Sequence, residues 1–278
     1  MVLLCISQYM CMLYLLSRIW VYFLGTEVKQ TGSGVVLQQK QYITELLQKV
    51  HMENANSAAT PMVISRKLSK DAGIEALLVR CYMSVTLHQI SYLELAKLHT
   101  IVNLELVALL EADWVSDSDD RRSVSGYYTY LNNNLVSWSS RKQRSVPIST
   151  VEAEYRSLAD AASVLLWLQS ILTDMEVELT SVSKLWCDTT STVVMAANPI
   201  LHAKTKNEDL DLHFIREKVA ADHLQVNYLP ASSQVADILT KPLAAPAFTL
   251  LRSKLNILSP MEAAAFLSSP EGKKQDEC

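Results

Sequence analysis

The chain lacks several of the features that commonly settle a function at once. It contains no C-x-x-C pair, and its five cysteines, Cys5, Cys11, Cys81, Cys187 and Cys278, are odd in number and scattered. That argues against a zinc-finger pattern or a disulfide framework and fits free thiols in a reducing, intracellular setting, cytoplasmic or nuclear. There is little excess charge of either sign. With a formal net charge of -4 and a pI near 5.9, the chain cannot coat nucleic acid by bulk charge, so any such binding must come from local basic clusters. It also lacks an unbroken apolar run of the ~20 residues that a membrane span needs. The apolar opening, residues 1–24, is interrupted by Ser7, Gln8, Ser17 and Arg18, and no small-residue cleavage site follows it. This segment therefore reads as a buried strand or helix rather than as an anchor.

What the chain does have is bulk: 278 residues that are 49% apolar, enough for a full core and roughly two domains. Residues 22–47 read as a strand, a turn over Gly32 to Gly34, a second strand, and a helix from about Gln41. Residues 53–72 are polar, contain Pro61 and show no period, which marks a boundary. From 73 to 108 the pattern is helical but poorly punctuated.

Beyond residue 108 the pattern sharpens. "SGYYTYLNNNLVSWSS" gives two alternating, aromatic-rich strands joined through Asn132, Asn133 and Asn134, residues that tolerate left-handed turns. Ser149 and Glu152 form an S-x-x-E capping box ahead of a helix whose Val151, Tyr155, Leu158, Ala162 and Leu165 share one face to about Leu172. Then come a strand "SKLWCD", a short helix "TSTVVMAAN", a longer helix "EDLDLHFIREKVAADH", a strand "LQVNYLP" and a final helix "SQVADILTKPL". Alternation of this kind predicts an α/β domain.

Acids fall at telling places in that layout. Glu111 and Asp113 end the first strand, Glu154 lies early in the capped helix, Asp188 ends the next strand, and Asp237 lies in the last helix. Glu154 shares a face with Leu158 and Ala161 beside the apolar stripe, whereas Glu152, displaced by about 200°, is expected to face water. An inward carboxylate needs a partner. Hard oxygen ligands from strand ends and helices suit Mg²⁺ or Mn²⁺, and two such ions can promote phosphodiester hydrolysis. Capping and surface charge are the plainer explanation of the same spacing.

The segments "ADWVSDSDDRRSVSGYYTYLNNNLVSWSSRKQ", "STVEAEYRSLADAASVLLWLQ", "LWCDTTSTVVMAANPILHAKTK", "DLDLHFIREKVA" and "QVADILTKPL" resemble, in order, the ribonuclease H region of copia-type retrotransposon polyproteins. The resemblance covers 108–256 and implies a ribonuclease H-like mixed sheet flanked by helices. Residues 1–62 resemble the part of the same elements' reverse transcriptase that reaches from palm into thumb, 63–107 a degenerate connection, and 257–278 a flexible tail. The polymerase's paired-aspartate motif would precede residue 1, so polymerisation by this chain alone is not expected, and a reverse transcriptase domain acting in trans is one implied partner.

What the resemblance implies for chemistry is hydrolysis of the RNA strand of an RNA–DNA hybrid on two divalent ions, Mg²⁺ or Mn²⁺, held by four acids. Three carry over as Glu154, Asp188 and Asp237. The fourth is open: the family's first motif resembles "SDADW", where this chain has Glu111 in the ligand position and Asp113 two residues on, on the same side of a strand. Two other positions depart from the pattern. The family's Asp-Asn pair is Asp188-Thr189, and its "TKH" is Thr205-Lys206-Asn207, so a catalytic histidine would have to be His202 or His213. His213 reads more simply as packing or capping its own helix. Arg121, Arg122, Arg141, Lys142, Arg144, Lys204 and Lys206, beside Tyr127, Tyr128, Tyr130 and Trp138, form the candidate nucleic-acid surface. Three functions remain in play: a nuclease of reduced activity, an inactive nucleic-acid-binding relic, and a membrane-anchored derivative.

Overall fold

The computed structural model describes scattered positions between 22 and 60, residues 91–93, and residues 104–255 apart from 117–118, 133, 175–176 and 199–205. The expectations for residues 1–21 and for the tail beyond 255 lie outside the described residues. Among those described, no helix is long and apolar enough to cross a membrane.

The chain divides into two compact units. In the first, strands β1 (Tyr22–Phe23), β2 (Thr26–Thr31), β3 (Gly34–Gln38) and β4 (Ser91–Leu93) form an antiparallel sheet in that order, and helix α1 follows at Lys40–Lys49. The hairpin β2–β3 closes at Thr31 opposite Gly34, where the sequence places its glycine turn. A helix over Ala245–Ser253 also belongs to this unit.

The second unit, residues 62–72 and 103–244, carries the candidate site. Its strands β5 (Leu106–Asp113), β6 (Val124–Leu131) and β7 (Asn134–Lys142) form an antiparallel meander, in which β6 lies between the other two and is buried almost throughout. Asn132 turns the second hairpin with φ 52°, the left-handed geometry that asparagine tolerates. Helix α2 (Thr150–Asp174) then crosses to β8 (Ser183–Cys187), which pairs parallel with β5. Helices α3 (Thr190–Ala197) and α4 (Lys206–Ala220) lead to β9 (Leu224–Tyr228), parallel to β8. The result is a five-stranded mixed sheet ordered β7-β6-β5-β8-β9 with flanking helices, the α/β architecture that the alternating pattern predicts. Its core is formed by Leu106, Ala108 and Leu110 from β5, Leu185 from β8, and Tyr155, Leu158, Ala162 and Leu165 from α2.

Two local expectations need correction. Glu152 does not face water: it is 4% exposed, accepts a hydrogen bond from the Ile148 N–H at 2.5 Å and pairs with Arg156. The capping box itself forms, with the Glu152 N–H donating to Ser149 Oγ at 3.1 Å, but the acid reaches back over the segment before the cap. The final helix is also much shorter than "SQVADILTKPL" suggests. A 3-10 turn at Ala231–Ser233 precedes a four-residue helix α5 (Asp237–Thr240).

Candidate metal centre

β5 and β8 run side by side only from Val107 opposite Lys184 to Leu109 opposite Trp186. Past that point the backbone of β5 is met by side chains instead. Gln234 Nε2 donates to the Leu110 carbonyl at 2.8 Å, and the Ala112 N–H donates to Glu154 Oε1 at 3.0 Å. This point lies at the carboxyl ends of the two parallel strands, the usual place for a site in such sheets.

Three carboxylates gather at that point. Glu111 comes from the end of β5, Glu154 from the first turns of α2, and Asp188 from the residue after β8, and one oxygen of each lies within 4.8 Å of the others. Glu111 and Glu154 are each only 3% exposed. Ser157 Oγ donates to the Glu111 carbonyl at 2.9 Å and so ties α2 to this point of the strand. One oxygen of each glutamate, Glu111 Oε2 and Glu154 Oε2, is buried without a hydrogen-bond partner. A buried acceptor in that state is costly unless something positive meets it.

Asp237 approaches through an intermediary that the sequence reading did not single out. Lys241 Nζ lies 2.8 Å from Asp237 Oδ1 and 2.8 Å from Glu111 Oε1, bridging the short helix to the end of β5. The i,i+4 spacing of Asp237 and Lys241 was the available signal. Gly126 makes the approach of α5 possible. It lies opposite Glu111 on β6, and a Cβ there would fall 2.7 Å from Leu239 Cβ and 2.8 Å from Thr240 Cγ2.

Burial drives the electrostatics. It pushes the Glu111 carboxyl well above the usual carboxylate range; Lys241 opposes the shift, while Asp188 and Asp237 add to it. Glu154 is raised by burial and then by Glu111 beside it. Asp237 is raised by burial against the pull of Lys241. Burial alone would lower Lys241, but its bonds to Asp237 and Glu111 hold it firmly charged. Cys187, behind the cluster, is pushed up to about 12, chiefly by burial, and acts as a core thiol. Without an added cation, this centre therefore favours carboxyl groups that keep their protons.

Among the sequence-predicted residues, Glu111, Glu154 and Asp188 come together and Asp237 joins through Lys241. Asp113, the last residue of β5, is half-buried and is not one of the three whose oxygens converge. The candidate nucleic-acid residues divide. Arg121, Arg141 and Arg144 are exposed, whereas Asp120 binds Lys142 at 3.0 Å and approaches Arg122 at 3.7 Å. Lys204, His202 and the side chain of Lys206 lie outside the described residues. His213 is exposed on α4, so its reading as a packing residue is corrected: among the described side chains of that helix the buried ones are Leu212 and Ile215.

No protein-family model matches the chain. It is 34% identical over 276 residues to the retrovirus-related Pol polyprotein from transposon RE1 of Arabidopsis thaliana, which covers 85% of this chain and 19% of that polyprotein. The polyprotein from transposon RE2 of the same plant matches at 33% with the same coverage, and the yeast transposon Ty1-DR5 Gag-Pol polyprotein at 26% over 54% of this chain. The chain thus spans 19% of the length of the two plant polyproteins. Among solved structures, it is similar to the LC11 ribonuclease H1 isolated from compost, at 16% identity and a TM-score of 0.39, over 49% of this chain and 92% of that one.

Proposed function

Since the chain is homologous to the Pol polyproteins of copia-type retrotransposons and carries a ribonuclease H-like mixed sheet, we propose that its second unit hydrolyses the RNA strand of RNA–DNA hybrids at a reduced rate. The observation that carries this reading is the convergence of Glu111, Glu154 and Asp188 with two buried oxygens left unpartnered. A set made only of carboxylate oxygens fits a hard divalent cation, Mg²⁺ or Mn²⁺, and neutralising them would remove the cost of their burial. An ion bound there would supply activation of water and relief of charge on the departing oxygen.

The chain's own residues do the rest. Glu111 and Asp188, at the ends of two neighbouring strands, would hold one side of the centre, Glu154 would close it from α2, and Asp237, paired with Lys241, would stand at its outer edge. The Ala112 N–H and Ser157 keep Glu154 and β5 in register, which matters because a misplacement of ~1 Å can cost on the order of 10²-fold in rate. Exposed Arg121, Arg141 and Arg144 are placed to meet phosphates without reading sequence.

The reduced rate follows from Glu111. It reaches one methylene further than aspartate, and Lys241 already holds its Oε1 at 2.8 Å. Octahedral Mg²⁺, at ~2.0–2.1 Å from its ligands, tolerates such displacement poorly. The test presents the full chain, in Mn²⁺, with a hybrid, duplex DNA and single-stranded RNA of one sequence. Cleavage of the RNA in the hybrid alone is expected; equal cutting of all three substrates, or of none, overturns the proposal.

A further inference from the structure

Lys241 stands where the cluster is divided. The four acids fall into two overlapping groups that share Glu111. Glu111 and Asp237 are bridged by the Lys241 ammonium, 2.8 Å from an oxygen of each. Glu111, Glu154 and Asp188 converge within 4.8 Å, and Glu111 Oε2 and Glu154 Oε2 have no partner. One half of the centre thus has its positive charge built in, while the other half is short of one.

We propose that Lys241 is a tethered cation occupying the outer half of the centre, so that the protein takes up one divalent ion, among Glu111, Glu154 and Asp188, while the Glu111–Asp237 half stays closed to a second. This inference rests on the metal-dependent reading above. Charge and geometry support it together. An ammonium and a divalent ion cannot share the same pair of oxygens at bonding distance, and two cations a few ångströms apart repel strongly in a partly buried setting. Lys241, the residue after a short helix that Gly126 allows to lie on the sheet, is held by two contacts, so its position is built by the fold and is not that of a free surface chain. It is therefore a positioning residue that keeps a second ion out.

The experiment counts Mn²⁺ bound to the full chain, by calorimetry and by loss of the free-ion paramagnetic resonance signal, for the parent and for Lys241→Met and Lys241→Arg. The expected result is one ion per chain in the parent and in Lys241→Arg and two in Lys241→Met, with the first ion held about tenfold or more tightly in Lys241→Met because a neighbouring charge has gone. Two ions in the parent, or one ion with unchanged affinity in Lys241→Met, overturns the tethered-cation role and leaves the metal centre standing. No Mn²⁺ bound to either the parent or Lys241→Met overturns both the inference and the metal-dependent reading on which it rests. Retained one-ion binding by Lys241→Arg distinguishes loss of a charge from a collapsed site.

Discussion

Glu111 and Glu154 set the behaviour of the whole centre at the scale of single residues. Both carboxyls are raised by burial from 4.5, to about 8 and about 9. In the folded state they hold protons that the unfolded chain has already released. The unfolded chain therefore binds fewer protons between the ordinary carboxylate range and about pH 9, and stability falls as pH rises through that window. Thermal unfolding in a chelator should show a melting temperature that drops steadily from pH 5 to pH 9. Added Mn²⁺ should flatten the slope and stabilise by ~2.7 kcal/mol at a hundredfold excess over its dissociation constant; a slope of the same size with and without Mn²⁺ would contradict the assignment. The first ligand can be identified at the same scale. Glu111→Gln should weaken Mn²⁺ binding at least tenfold, whereas Asp113→Asn, outside the converging three, should change it less than about threefold, both read by calorimetry. Equal losses would put Asp113 in the centre.

Between elements, what matters is how short segments are brought onto the sheet. Gly126 gives α5 room against β6, because a Cβ would meet Leu239 Cβ at 2.7 Å. Gly126→Ala should cost about 1–3 kcal/mol through overpacking and, by lifting α5, weaken the hold of Asp237 and Lys241 on the centre. Denaturant unfolding read beside Mn²⁺ binding checks this; a variant as stable as the parent would show that α5 can shift freely. At this scale the sequence was legible wherever one element carried the whole signal. The strand-end acids, the Asn132 turn, the Ser149 cap and the inward face of α2 follow from periods of two and 3.6. It was illegible wherever two distant segments meet. The buried Glu152 is the exception, a local miss: the chain at Ile148, four residues before it, folds over the first turn of α2, which a single-helix projection cannot see. Lys241 and Gln234 reach their partners across 130 and 124 positions of sequence in one case from α5 to Glu111 and in the other from the loop before it to Leu110.

Taken as a whole molecule, the chain matches retrotransposon polyproteins over 85% of its length while spanning 19% of theirs, and its second unit carries the sheet, the acid cluster and the exposed arginines together. The central claim is that this cluster is a divalent-metal centre that cuts RNA paired to DNA. It is tested most directly by the initial rate of RNA cleavage in a labelled RNA–DNA hybrid by the full chain, in Mn²⁺, in Mg²⁺ and in a chelator, for the parent, Glu111→Asp and Glu154→Gln. The expected result is slow cleavage that is faster in Mn²⁺ than in Mg²⁺, absent in the chelator, raised about tenfold or more by Glu111→Asp and lost in Glu154→Gln. Cleavage that survives the chelator or Glu154→Gln, or no cleavage by the parent and Glu111→Asp in either metal, would contradict it.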